Sequence, residues 1–352
     1  MEKQEKIYAL KNTPSDFIVE EQSDMSLRLS ESGDYAHVEV RKEEMNTEQA
    51  ARILTDAFHL NPKDIAYAGL KDKQAVTTQV FSIRHVSKEA IGRFTHPQLQ
   101  LKLMGFCSQP VFIGSHGGNR FTIKVHFTAP GAKEAFEEGA LRLERQPTLV
   151  NYFDEQRFSI QNVQVGLLFL TKRFKEACEL LRQSENNPGF NSFWEQNPTN
   201  PVGALKKIPK LTLLLYIHSV QSVMFNNALA AFVRLQGKEN HHDVSYTEGT
   251  LSFSNDLLIL EGKAVPLPGF GMDHTTVFEK FLQQEFTRLG IGERDFILRQ
   301  FPEISCEGSM RKATVPISGF EIREITDAYA TISFTLPKGA YATMMFKQIF
   351  YA

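Results

Sequence analysis

Three widely separated stretches alternate apolar and polar residues strictly: Ala36, Val38 and Val40; Phe121, Ile123, Val125 and Phe127; and Ala330, Ile332, Phe334 and Leu336. Period two with one apolar side makes half-buried strands, and these pair most readily as antiparallel ladders. Two less regular runs, Ile65 to Gly69 and Thr78 to Arg84, also read as strands. Helical spacing lies between the strands. Ala50, Ile53, Leu54, Ala57 and Phe58 share one helical face, with Asn46 or Thr47 as cap and Asn61-Pro62 as stop. A second helix is predicted near Ala132 to Arg145. Strands with helices on one side define an α+β domain.

The texture changes after about residue 150. Spacing predicts helices at Phe174, Ala177, Cys178 and Leu181, at Leu213 to Leu235 and at Val277 to Leu289. Gln183 to Pro209, interrupted by Pro188, Pro198 and Pro201, reads as irregular. Leu251 to Phe253 and Leu257 to Leu260 read as a hairpin around Ser254-Asn255-Asp256, and His241-His242 as part of a polar loop. Strict alternation returns only at 329–336. The chain, at 352 residues about twice a typical domain, therefore reads as one domain from 1–150 and 316–352, interrupted by an inserted domain at 151–315.

Composition narrows the function classes. Phe is abundant at 28, against 9 Tyr and the single Trp194, so most Phe side chains belong to cores. Cys107, Cys178 and Cys306 lack CxxC or Cys/His spacing, which argues against a disulfide framework or a zinc site. There is no signal-peptide pattern over Met1 to Lys11 and no apolar run of about 18 residues. The expectation is a cytoplasmic protein with no membrane partner. A formal net charge of −2 gives no global basic footprint, so nucleic-acid binding would need a local basic face. Candidates for one are Lys71, Lys73, Arg84, Lys172, Arg173, Lys175, Lys206, Lys207, Lys210, Arg311, Lys312, Lys338 and Lys347.

The chemistry concentrates at residues 68–78. There Asp72 stands between Lys71 and Lys73, after Gly69 and between two strand-like runs. Flanking cations favour the ionised carboxylate, which can then act as nucleophile or base. The plainer alternative is a solvated surface turn.

Six segments point to one family. Asn12-Thr13-Pro14-Ser15-Asp16-Phe17-Ile18-Val19-Glu20 resembles the N-terminal (N)xPxDFxVxE motif of the TruD family of tRNA pseudouridine synthases. Ala68 to Thr77 is similar to AGxKDxxAxT, and Gly118-Asn119-Arg120-Phe121 to GNxF. Asn151 to Phe158 resembles NYFGxQRFG, with Asp154 and Ser159 in place of glycines. Gln221 to Asn226 resembles QSxxFN, and Leu336 to Thr343 resembles LPxGxYAT.

This resemblance implies a pseudouridine-synthase catalytic domain with a mixed or antiparallel sheet, plus an inserted α/β TRUD domain. It implies isomerisation of a tRNA uridine, typically uridine 13 of the D arm, to pseudouridine, with tRNA as partner, no cofactor and a monomeric state. It assigns Asp72 as the catalytic carboxylate, acting by attack on sugar or base or by taking the C2′ proton. Lys11 is implied as the cation orienting Asp72, Phe121 as the stacking residue, Asn119 as a reader of the uracil edge, and Phe17 and Tyr341 as substrate-side aromatics. Lys71 and Lys73 are expected to face phosphate. The chain departs from the family at Cys107 to Ile113, where a basic run is usual. A tRNA-binding protein of the same fold without catalysis is the alternative. A phosphotransferase using Asp72 as acceptor lacks a Gly-rich phosphate loop.

Overall fold

The computed structural model describes residues 6–23, 29–112, 114, 116–159, 161–184, 187–238 and 240–351. Residues 1–5 and Ile113, which figure in the sequence expectations, lie outside them. The described chain up to Pro147 forms one compact unit with Pro316–Ala342; Thr148–Val315 forms a second with the chain from Thr343 onward.

The first unit is built on a nine-stranded mixed sheet. Its strands are β1 (Tyr8–Leu10), β2 (Phe17–Ser23), β3 (Tyr35–Glu43), β4 (Ile65–Tyr67), β5 (Val76–Arg84), β6 (Leu99–Cys107), β7 (His116–Phe127), and the two C-terminal strands Ser318–Ile325 and Tyr329–Pro337. Only β2 and β5 pair in parallel; the other ladders are antiparallel. The alternating segments are therefore strands, and their registers match apolar to apolar. Phe334 lies opposite Phe121, Ile332 opposite Ile123 and Ala330 opposite Val125.

Helices α1 (Thr47–Ala57) and α2 (Lys88–Arg93) cover part of this sheet, burying Ala36, Val38, Val40, Leu54, Phe81, Ile83 and Ile91 in one cluster. Asn46 is the cap of α1, because its side chain accepts from the Gln49 N–H at 2.7 Å. A third helix, α3 (Ala132–Arg145), sets Phe136 against Phe127 at 5.6 Å between rings.

The second unit is mainly helical: α4 (Asn162–Leu170), α5 (Phe174–Ser184), α6 (Pro188–Gln196), α7 (Pro201–Leu205), α8 (Lys210–Gly237), α9 (Glu279–Leu289) and α10 (Ala342–Tyr351). Three two-stranded ladders complete it. The stretch 183–209 is not irregular. Asn187-Pro188 and Asn200-Pro201 each place a capping side chain before a proline in the first helical turn, so the prolines start helices instead of breaking them. The expected hairpin is also displaced. Gly249–Ser254 pairs with His241–Tyr246, so the two histidines are in a strand. Leu257–Leu260 is a 3₁₀ turn capped by Asp256.

Sequence texture groups residues 316–352 with the sheet, but α10 belongs to the second unit. Gln348 accepts from the Val150 N–H at 3.0 Å and donates to Thr148 O at 2.8 Å. Lys347 pairs with buried Asp154 at 2.7 Å, which occupies a position where the family motif has glycine. Burial raises the Asp154 pKa, but the Lys347 ammonium and the hydrogen bonds to the carboxylate together more than offset it and hold the carboxyl below its usual range.

Gly118 on β7 has no room for a side chain: a Cβ there would stand 2.4 Å from Leu336 O of the neighbouring strand. Gly118→Ala is predicted to lose about 1–3 kcal/mol of stability by overpacking. Gly92→Ala, in a helix with nothing within 4 Å of the new methyl, is predicted to gain about 0.5–1 kcal/mol. Denaturant unfolding of the two variants checks both signs.

Candidate active site

Two rows of side chains cross one face of the sheet. Lys42, Thr77, Val19, Phe121 and Phe334 follow one another through paired positions on five strands. One step along, Glu21 lies opposite Asn119. Here the apolar face ends. Lys42 continues the Ala36–Val38–Val40 stripe of β3, and Glu21 continues the Phe17–Val19 stripe of β2, so both charges point inward by period two.

The 68–75 loop is fastened over this polar end by its backbone. Gln79 Nε2 donates to Gly69 O at 3.0 Å, and Thr47 Oγ1 accepts from the Lys71 N–H at 2.9 Å. Thr47 in turn donates to Gln79 Oε1 at 2.9 Å. The Gly114 N–H donates to Ala68 O at 2.8 Å. Lys42, only 1% exposed, donates to Met45 O at 2.5 Å and to Asp72 O at 3.1 Å. Asp72 is thus held on its main chain from below, while its side chain stays 38% exposed.

The carboxylate meets Lys11, whose Nζ lies 2.6 Å from Asp72 Oδ2. Lys11 itself is in the left-handed region, with φ 61, an uncommon conformation for a lysine. It precedes the 3₁₀ turn Pro14–Asp16, where Asp16 accepts from the Thr13 N–H at 2.9 Å and lies 3.1 Å from His126 Nε2. The turn carries Phe17 into β2. Lys11 Nζ sits 4.1 Å from the Phe17 ring centre, within cation–π reach.

Phe17 meets Phe121 edge-on at 6.2 Å, and Phe121 stacks on Phe334 at 5.3 Å. Phe121 is 7% exposed and lies within a long strand. The structure therefore links Lys11, Asp72, Phe17 and Phe121 directly, and Asn119 through Lys71. Tyr341 is half-buried in the turn after the strand that carries Phe334.

Lys71 does not face solvent or phosphate. Its side chain is 8% exposed, 3.2 Å from Glu21 Oε2 and 2.5 Å from Asn119 Oδ1. The expectation for Lys71 fails because the inward-facing Glu21 draws the ammonium under the loop; Lys73 is exposed. An ammonium only donates, so Asn119 turns its oxygen to Lys71 and presents its two amide N–H groups elsewhere. Burial pushes the Lys71 pKa down, against the pull of Glu21 and Asp72. Glu21, Lys42 and Phe334 have no place among the site residues expected from sequence. A charge in register with an apolar stripe was the available signal for the first two.

A half-exposed carboxylate paired to lysine thus lies beside a buried aromatic group and an oriented amide. The family model for tRNA pseudouridine synthase D (TruD) matches residues 3–188 and 190–349. The chain is 28% identical over 396 residues to the Archaeoglobus fulgidus protein named "Probable tRNA pseudouridine synthase D", covering 96% of this chain and 93% of that one. It is 26% identical over 386 residues to the tRNA pseudouridine synthase D of Aquifex aeolicus, covering 97% of each. The fold is that of a crystal structure described as TruD from Methanosarcina mazei, with a TM-score of 0.66 at 23% identity over 97% of this chain and 93% of that one. The chain belongs to the TruD family of tRNA pseudouridine synthases. No helix among the described residues is long and apolar enough to cross a membrane.

Lys42 gives a pH prediction. Burial, only partly offset by Asp72, pushes its pKa from 10.5 down to about 8, and nearby Lys71 adds to the fall. Below pH 8 both folded and unfolded chains keep the proton, and the native state carries the cost of the buried charge. Between about 8 and 10.5 the native state releases the proton first, so this group makes stability rise with pH. Lys42→Met is predicted to lose that rise, as read from urea midpoints across the window.

Proposed function

We propose that this protein converts a uridine of tRNA, uridine 13 of the D arm, to pseudouridine, with Asp72 as the catalytic carboxylate. The observation that carries the reading is the Lys11–Asp72 pair at 2.6 Å on a loop fastened from beneath.

The reaction is an isomerisation. The bond from uracil N1 to ribose C1′ breaks, the base turns, and C5 bonds to C1′; C5 loses a proton and N1 gains one. The Asp72 carboxylate, paired with the Lys11 ammonium at 2.6 Å, is placed for attack or for C2′ proton abstraction. Lys11 fixes its direction, and Phe17 limits where Lys11 can move. A uridine in folded RNA must leave its stack to reach the site. Phe121, 7% exposed with Phe17 and Phe334 packed against it, supplies the apolar side of the site, and Tyr341 is the further substrate-side aromatic that the family resemblance implies. The amide N–H groups of Asn119 suit a uracil carbonyl oxygen and oppose the amino group of cytosine.

The test is purified protein with transcribed tRNA and chemical mapping of pseudouridine. Wild type is expected to modify position 13. Asp72→Asn is expected to bind tRNA with unchanged affinity and to lose on the order of 10²–10⁴-fold or more in rate. Lys11→Met should lower kcat with little change in KM. Full activity in Asp72→Asn would overturn the assignment of Asp72. Tight tRNA binding by wild type with every uridine unmodified would favour the non-catalytic reading.

A further inference from the structure

Two of the six motifs contribute nothing to the Asp72 site. They meet instead in the second unit, around an open cavity of about 420 Å³. Phe153 and Arg157 come from the 151–158 run, and Gln221 and Ser222 from the 221–226 run on α8. We propose that this cavity holds an unpaired guanine nucleotide of the bound RNA, distinct from the uridine that is isomerised; the proposal rests on tRNA being the substrate.

The volume suits one nucleotide, and the walls include Phe153, Leu214 and Leu267. Arg157 uses Nε to reach Ser222 Oγ at 3.3 Å and lies 5.5 Å from the Phe153 ring centre. Its two Nη groups have no protein partner among the described residues. His218 lines the same cavity, and no partner is present for its ring nitrogens among the described residues. Burial, reinforced by Arg157, pushes its pKa down to about 4, so the neutral ring offers one donor and one acceptor. Glu307 adds an exposed carboxylate to the rim.

An arginine and a carboxylate in one cavity select among bases. Guanine presents two acceptors, O6 and N7, for a guanidinium fork. Its N1–H and N2–H groups form a donor pair for a carboxylate. Adenine and the pyrimidines lack one or other of these edges.

The experiment probes tRNA bound by the full-length protein with a dicarbonyl reagent that adducts the N1–N2 edge of unpaired guanine. One guanine is expected to be protected by wild type and to react again, at saturating protein, with Glu307→Gln. Arg157→Lys keeps the charge but loses the fork, and is expected to weaken tRNA binding about tenfold. The single-turnover rate at saturation should stay unchanged. An identical guanine pattern with both proteins would overturn the proposal. So would a change confined to adenines, or an affinity loss in Arg157→Lys with no base re-exposed, which marks a phosphate contact. Calorimetry with free 5′-GMP separates the other source of the same base: micromolar binding with an unchanged RNA pattern would assign the cavity to a free nucleotide and overturn the RNA assignment. Because protection is read without catalysis, its loss and a failure to form pseudouridine are separate results.

Discussion

The Lys11–Asp72 contact is the interaction on which the site depends, and it joins two segments that share no strand. Lys11 is committed by a left-handed backbone and by the capped turn that follows it. Asp72 is committed by its own carbonyl, which buried Lys42 grips at 3.1 Å. A side-chain pair as exposed as this one would ordinarily contribute little, because solvent screens it and two long side chains must be ordered. Here the ordering is done by the backbone, so the pair sets direction more than stability.

Beneath the loop the sheet accepts charges that a core would normally exclude. Lys42 is anchored by two carbonyls, and Lys71 is satisfied by Glu21 and Asn119. Burying such groups is costly unless each is paired. They occupy the point where the apolar stripes of β2 and β3 stop, so the same period-two geometry that builds the core also builds the floor of the site. The aromatic row through Phe121 and Phe334 is the boundary between the two.

Much of this was legible in the sequence because the sheet is regular. The alternating runs became strands, and α3 fell where its spacing placed it, at Ala132–Arg145. The Asp72 loop stood out by its charges. Elsewhere one local signal has two structural outcomes. Asn-Pro can end a segment or begin a helix, and at 187–188 and 200–201 it begins one. A short apolar run such as 257–260 lacks the length to distinguish strand from 3₁₀ turn. Lys42 and Glu21 were readable as charges in an apolar register. The Asp154–Lys347 pair was not, since 193 residues separate its partners and each looks like a surface charge.

The most direct measurement is a crystal structure of the Asp72→Asn protein bound to its substrate tRNA. The expected complex has one uridine extruded from the RNA, its ring against the Phe121 group, Asn119 Nδ2 on a uracil oxygen, and its ribose C1′–C2′ edge about 3–3.5 Å from the residue-72 side chain. A complex in which the extruded base lies away from Phe121, with residue 72 turned to solvent or to phosphate alone, would contradict it.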